Sequence, residues 1–498
     1  MNKIFALVLL LQLFYFGATG QTTLNKVIDI NGNADFGAAV VKTSSGFLIN
    51  CAVGDFTTNK DYAGVIVLDN EGKLIKKHSF SFGENTILSN GRSLKLRNNN
   101  IAYYNTLQQY DTVKKDFTTW TALTLFDELG DTLWTKQYLD SSKHVSACTL
   151  IETPDSGIYL IGNEKKGATY NDPLITKVDT NGVVTSQHSI LTPANTAIYS
   201  IVKHPNGKYY GGGYTTANNS NDPYVTELDT NMRPIWSKQY KSGVGKGAEL
   251  FITEDRNLVF GTDTLIREHS PGLYWSRKQI FKIDTTGKVI WRKVHGETGE
   301  GDQYATIVGN SKNEIFALGR REPLEGIHYT LTKLSSEGDT IWMHQYAYED
   351  IEGTNYLWDM VATDDGGVLM VGDVTPLASR YQDVWLVKTD SNGCVNNDCV
   401  KTLVYGKLVG QNEPFSTKNE ISLYPNPTKG NKLWINGLDK EAHYQFAVTS
   451  ISGKVVLKGK LDATGPLNIS SLQTGNYLIT VFEGSTVVTT KKLIVQDE

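Results

Sequence analysis

Side chains able to grip a sugar are scattered through the middle of this 498-residue chain, in the connections between stretches of alternating apolar and polar residues. Tyr110, Phe117 and Trp120 fall in one connection, Tyr274 and Trp275 in another, and Arg320, Arg321 and His328 in a third. Carboxylates stand in neighbouring connections, at Glu297, Glu300, Asp302, Asp350 and Glu352. Aromatic faces offer a large apolar contact, and charged groups beside them orient hydroxyls, so the mixture suits carbohydrate binding. Trp120, Tyr274, Trp275, Glu300, Asp302, Arg320 and Arg321 make up the candidate ligand face. Two of the carboxylates could instead serve a glycosidase, although any acidic loop supplies a pair.

No residue is assigned a catalytic role, because no standard signature is present. His-Glu-x-x-His and Gly-x-Ser-x-Gly are absent, and Gly243-Val-Gly-Lys-Gly247 lacks the hydroxyl and the spacing of a phosphate loop. No cofactor is expected, and no metal. The stretch from Asn31 to Gly37 sets oxygen-bearing residues at alternate positions like a calcium loop, but Phe36 stands where such a loop turns on Gly and no closing Glu follows. Cys394 and Cys399 are close enough to form a small disulfide loop, whereas Cys51 and Cys148 lie in apolar strand-like runs that suit buried free thiols.

The elements that carry these loops recur. An alternating strand, then Asp-x-x-Gly, then a second strand appears with its Asp at 69, 127, 179, 284 and 390, with Met232 in the Gly place after Asp229, and with Ser335 in the Asp place of one copy. Successive copies are 58, 52, 50, 55, 51 and 55 residues apart, a period that means a repeat architecture. The Asp side chain caps backbone amides within the turn and Gly supplies a positive φ. Seven residues on, four copies carry Trp134, Trp236, Trp291 and Trp342; eleven on come Phe80, Tyr138, Tyr240, His295 and Tyr346. A large aromatic at a fixed place in each unit is what packing between units requires.

A second, earlier turn in each unit (Ser44-Ser-Gly46, Asp155-Ser-Gly157, Pro205-Asn-Gly207, Asp364-Asp-Gly-Gly367) makes two hairpins, hence four strands, per repeat. Seven such units predict an all-β seven-bladed propeller over 21–400. Small residues where the first strand begins (Gly37-Ala38-Ala39, Ala147, Gly247-Ala248, Ala305) suit the crowded strand nearest the axis. The Trp-bearing strand is then outermost. The seventh unit has only three strands before the pattern fails at Cys394, and the unused strand at 25–30 is expected to complete it. Both kinds of long, varied connection then emerge on one face, where function is grafted. The Asp-x-x-Gly-x-x-x-Trp string resembles the repeat of quinoprotein-type propellers. Their usual Thr-Gly occurs only at Thr286-Gly287, so the resemblance implies the fold and not the cofactor.

Both ends carry addresses. Lys3, an apolar run from Ile4 to Phe16 and small residues at Ala18 and Gly20 predict a signal peptide over 1–20, too short to span a bilayer. After a polar linker at 401–420, the segment 421–498 shows short alternating strands that predict a small immunoglobulin-like β-sandwich. Leu423-Tyr-Pro425-Asn426-Pro427 with Gly430, then Ser452-Gly453-Lys454-Val455, Leu472-x-x-Gly475-x-Tyr477 and Lys492-Leu-Ile-Val495 follow one another in order. This series resembles the type IX secretion sorting domains of Bacteroidota. The resemblance implies passage across both membranes of a Gram-negative cell, with the secretion machinery as partner and delivery to the surface or medium.

A net charge of −5 with interspersed signs favours neither nucleic acid nor an anionic membrane. Three functions are compatible with the whole: a secreted or surface-attached module binding polysaccharide or protein, a propeller enzyme such as a glycosidase or lyase, and a structural surface protein without a small ligand.

Overall fold

The computed structural model describes residues 23–496 outside 31, 33, 56–59, 84–85, 113–114, 141, 167–169, 193, 218–220, 243–247, 268–273, 296–300, 323–327, 349–354, 377–380, 396–406, 410–421, 437, 439–442, 451–453, 463–464 and 484–485. The leader expected over 1–20 therefore lies outside the described residues. Two compact units divide the chain, Met1–Gln411 and Asn412–Glu498, and every regular element named in them is a β-strand. No helix among the described residues is long and apolar enough to cross a membrane.

In the first unit the Asp-x-x-Gly string sets local structure wherever it occurs. Asp69 Oδ1 accepts the N–H of Glu71 at 2.9 Å and of Lys73 at 2.8 Å, while Gly72, at φ +75°, returns its N–H to the Asp69 carbonyl at 3.0 Å. Asp127, Asp179, Asp229, Asp284 and Asp390 repeat the pattern. Ser335 does the same job with its hydroxyl, at 3.3 and 3.2 Å.

Among the described residues these hairpins assemble into seven antiparallel sheets. Sheet one spans 34–81, sheet two 87–138, sheet three 145–189, sheet four 196–239, sheet five 249–295 and sheet six 301–346, each with four strands in chain order. Sheet seven contains Asn355–Ala362, Val368–Val374 and Asp383–Lys388. The first strand of each sheet adjoins the first strand of the next, and that of sheet seven adjoins that of sheet one. Crowding there selects small residues: a Cβ on Gly37 would lie 2.6 Å from the Gly372 carbonyl oxygen.

Neighbouring sheets are locked by the aromatics seven and eleven residues past each turn. Trp134 of sheet two covers Gly182 in the turn of sheet three, where a Cβ would meet the indole at 2.9 Å. Trp236 covers Gly287, Trp291 covers Gly338 and Trp342 covers Gly393 in the same way. The hydroxyls of Tyr138, Tyr240 and Tyr346 donate to the carbonyls of Gly182, Gly287 and Gly393 at 3.0, 2.9 and 2.6 Å. Sheet three has Ser186 in the Trp place. Opposite it, sheet four replaces the turn Gly by Met232, held at φ +61° and fully buried, so the large group comes from the other partner.

Sheet seven gains its fourth strand from the other end of the unit. Leu24–Ile28 pairs antiparallel with Asp383–Lys388, from Leu24 opposite Lys388 to Ile28 opposite Val384. The fully buried Trp385 donates its indole N–H to Asn25 Oδ1 at 2.6 Å. This is the shared-sheet closure that the unused N-terminal strand predicts. Lys407–Val409 then adds a fifth, parallel strand beside Lys26–Ile28. The stretch 401–420, expected as plain linker, thus contributes a strand whose backbone groups are satisfied by the sheet edge.

The second unit is described by itself. Ser422–Tyr424, Lys432–Asn436 and Leu467–Asn468 form one sheet. The other runs Val455–Leu461, Tyr444–Ser450, Gly475–Glu483, Thr486–Val495 in spatial order. Leu433, Ile435, Phe446, Val448, Ile479, Val481 and Leu493 form the core between them. The Pro425-Asn426-Pro427 segment has cis bonds before both prolines. Asn426 reads the last strand with both ends of its amide: Nδ2 donates to the Lys492 carbonyl at 2.7 Å and Oδ1 accepts from Ile494 N at 2.9 Å. Tyr477 anchors the preceding turn by donating to the Gln473 carbonyl at 2.8 Å. Gly475 starts the strand that pairs with Lys492, and Gly430 follows the Pro-Asn-Pro segment with open space about it. Gly453 lies outside the described residues.

Candidate functional site

Six of the seven first strands carry a bulge at the same place, between residues 37 and 39, 89 and 91, 147 and 149, 198 and 200, 304 and 306, and 357 and 359. A bulge inserts one unpaired residue and re-aims its side chain. In sheets three, four and seven that residue is Cys148, Tyr199 and Trp358, so chemistry-bearing side chains stand at equivalent levels around the first unit.

Cys148 and Tyr199 line a cleft of roughly 450 Å³ shared by sheets two, three and four. Its wall on sheet two is Gln108, Asp116, Phe117 and Thr119; sheet three supplies His144, Asn163, Lys165 and Asn171. Phe117 is exposed and meets exposed Tyr110 edge-on with ring centroids 5.1 Å apart. Tyr199 stacks on Tyr214 at 5.7 Å with an interplanar angle of 24°. Burial drives the Tyr199 phenol well above its ordinary range, so it is a protonated hydroxyl at neutral pH. The Asn163 side chain reaches that phenol, while its own Oδ1 is buried with no hydrogen-bond partner among the described residues. Burial also lifts the Cys148 thiol to about 12, which removes it as a nucleophile. Asp116 is the one carboxylate among the described lining residues, so the two-carboxylate arrangement of a glycosidase is not assembled by them.

A second aromatic platform stands on sheets six and seven. Tyr356 and Trp358 stack at 4.9 Å and 7°, and the Arg320 guanidinium lies over Tyr356 at 5.6 Å. Trp358 is 40% exposed, and its indole N–H donates to Asp373 Oδ1 at 2.6 Å. Burial raises the Asp373 carboxyl to about 7.

Between the sheets an ion network crosses the unit. Arg92 of sheet two meets Glu249 of sheet five at 3.3 Å and Asp359 of sheet seven at 3.6 Å. Tyr304 of sheet six donates to Glu249 at 3.1 Å, and Val40 of sheet one donates its N–H to Asp359 at 2.9 Å. Five sheets thereby share one charge cluster. Burial raises the Asp359 carboxyl to about 6, against the pull of Arg92.

The expected ligand face is redistributed. Trp120 is only 6% exposed and belongs to the core between sheets one and two, with its N–H on Gln137 Oε1 at 3.0 Å. Side chains alternate along a strand, so Phe117 and Trp120, three apart, point to opposite faces. Arg321 is likewise buried, at 2% exposure. Asp302 pairs with it in register, as Gln303 does with Arg320. Tyr274 and Trp275 begin a strand, opposite Arg267 and Ile266; their side chains, and that of Asp302, are not among the described ones. Glu297, Glu300, Asp350 and Glu352 lie outside the described residues, as does Cys399; Cys394 is disulfide-bonded, and Cys51 and Cys148 are free and buried. Sequence reasoning missed Tyr199, Asn163 and Trp358. A bulge leaves no mark in composition, and only the exchange of small residues for Tyr199 and Trp358 in the first strands hints at them.

Comparison with known proteins agrees with both units. Residues 422–496 match the family model of the secretion system C-terminal sorting domain. The match marks the chain as type IX secretion cargo, and so as a secreted or cell-surface protein. Among solved structures, an ulvan lyase of polysaccharide lyase family 25 superposes with a TM-score of 0.50 at 9% identity, over 76% of this chain and 98% of that one. The β-propeller domain of the trilobed protease from Pyrococcus furiosus aligns with a TM-score of 0.40 at 10% identity, over 74% and 99%. At 9% identity the likeness to the lyase speaks for a shared fold alone. No curated protein matches the chain by sequence.

Proposed function

We propose that this cargo is a polysaccharide-binding protein: a seven-bladed propeller that holds an acidic glycan in the cleft of sheets two to four, followed by an immunoglobulin-like sandwich that serves as its address. The observation that carries the reading is the exposed Phe117–Tyr110 pair, of which Phe117 lines a polar cleft together with Asn163, Tyr199, Lys165 and His144. An aromatic wall takes the apolar face of a sugar ring, and amide and phenol groups take its hydroxyls. Lys165 and His144 in the same cleft, against one carboxylate, favour a negatively charged sugar. Titration calorimetry of the exported chain with uronate-containing and neutral polysaccharides tests this. Binding confined to the acidic ones, and reduced at least tenfold by Phe117→Ala, is the expected outcome; no binding to either sinks it in favour of a structural surface protein.

One arrangement favours a catalytic version. β-Elimination from a uronate needs a base for the proton at C5, a neutralising partner for the carboxylate and an acid for the leaving oxygen. His144, Lys165 with Asn163, and the protonated Tyr199 are groups of those three kinds in one cleft. An ulvan lyase shares the fold. Ultraviolet absorbance from the unsaturated product, lost in Tyr199→Phe, decides between lyase and binding protein.

A further inference from the structure

Asp29, Asp35 and Asp383 belong to three segments that meet where the first unit closes. Asp29 follows the closing strand, Asp35 lies in Ala34–Lys42 of sheet one, and Asp383 opens the third strand of sheet seven. Their exposures are 7, 0 and 5%. Each presents a carboxylate oxygen, and the three oxygens lie within 4.8 Å of one another.

The backbone holds these groups in place. Asp35 N donates to the Gln382 carbonyl at 2.7 Å, Ile30 N donates to Asp35 Oδ2 at 2.5 Å, and Gly32 N donates to Asp29 Oδ1 at 2.5 Å. The other oxygen of Asp35, Oδ1, is buried with no hydrogen-bond partner among the described residues, on a side chain that is 0% exposed. Lys77, whose Nζ donates to the Asp29 carbonyl at 2.6 Å, brings one positive charge to the group. Three carboxylates withdrawn from water and set this close together repel one another unless a cation or protons neutralise them.

We propose that Asp29, Asp35 and Asp383 form a calcium site that staples the closing strand to sheets one and seven. Calcium accepts six to eight oxygens at roughly 2.3–2.6 Å in loose geometry, which suits carboxylates held by three separate segments better than the strict octahedron of magnesium. An ion set among oxygens no more than 4.8 Å apart reaches all three with small side-chain rotations. A single-loop calcium template fails at Phe36 because the third carboxylate arrives from the far end of the unit. Millimolar calcium outside the cell matches the affinity range of extracellular calcium modules.

The test uses the full exported chain, stripped with a chelator and then supplied with CaCl2 or MgCl2. The ion binds only the closed fold, so the melting temperature is expected to rise by roughly several degrees in millimolar CaCl2, with calorimetry counting one ion per chain. Asp35→Asn keeps an acceptor for Ile30 N and is expected to abolish the rise. An unchanged melting temperature, a stoichiometry of zero, an equal rise in Asp35→Asn, or an equal response to MgCl2 overturns the assignment. Should Asp35→Asn fail to fold, Asp383→Asn and the wild-type stoichiometry decide the matter in the same terms.

Discussion

Leu24 covers Gly72 as the tryptophans of the other sheets cover their glycines. It stands opposite Lys388, two residues before the turn Asp390, the register that Trp134 occupies opposite Leu125 and Trp342 opposite Lys333. The closing strand thus supplies both the hydrogen bonds of an outer strand and the apolar lock between sheets seven and one. Leu24→Ala is expected to cost about 2–4 kcal/mol, the range for emptying a buried leucine site. Chemical denaturation of the exported chain reads it, with a shift in midpoint at constant slope.

Met232 and Ser186 form a reversed lock, and the two positions are expected to be coupled. Met232→Gly leaves a cavity beneath sheet four and should lose about 2–4 kcal/mol. Ser186→Trp alone should also destabilise, since the indole and Met232 claim the same space. The double variant restores the small-against-large pairing of the other sheets and should recover at least about 1 kcal/mol over the sum of the singles. Additive effects in the thermodynamic cycle would argue against a shared site.

Much of this was open to inspection in the chain itself. The Asp-to-Asp period, the paired turns and the missing fourth strand of the seventh unit together foretell the repeat, the four strands per sheet and the closure by the N-terminal strand expected at 25–30, because each rests on a local backbone requirement. The cleft was far less legible. Trp120 reads as exposed from its position in a long connection, yet register puts it in the core, and Tyr199 stands out by no motif, yet it sits at a bulge and lines the cleft. Register and bulges are decided by pairing between segments, which spacing along one strand does not encode.

The charge cluster of Arg92, Glu249 and Asp359 makes stability depend on pH. The Asp359 carboxyl is raised to about 6 when folded, so its contribution is full below its unfolded value near pH 4 and is lost as pH rises through about 6. Arg92→Met removes the cation that opposes this shift. The stability gap between wild type and variant should therefore widen from about pH 5 to about pH 8, reaching roughly 1–2 kcal/mol, since Arg92 keeps a third of its exposure. Thermal unfolding at several pH values measures it; a gap that is constant or narrows with pH excludes the electrostatic account.

Phe117→Ala and Trp120→Ala separate binding from stability, although the residues are three apart. The first should weaken glycan binding by about tenfold or more, the loss of an exposed stacking face, and leave the melting temperature within error. The second should lower stability by about 3–5 kcal/mol. Parallel calorimetry and melting curves check both.

Asn426→Ala removes two hydrogen bonds that tie the Pro-Asn-Pro segment to the last strand. Cell fractionation should find the variant retained inside the outer membrane, with the first unit folded normally. Undiminished export would detach this contact from sorting.

The closing strand also governs when folding can finish. Sheets one to six are each continuous in the chain and need only short-range pairing. Sheet seven waits for a contact such as Asn25 with Trp385, 360 residues apart, and closing so long a loop is the slow, entropically costly step. A chain still in transit through a membrane, with one of those two strands not yet delivered, is an open arc with two unpaired edges. Completion is therefore all-or-none and comes last. The molecule remains threadable until nearly 390 residues have emerged, and loss of Leu24–Ile28 or of Asp383–Lys388 opens the closure itself rather than fraying one end.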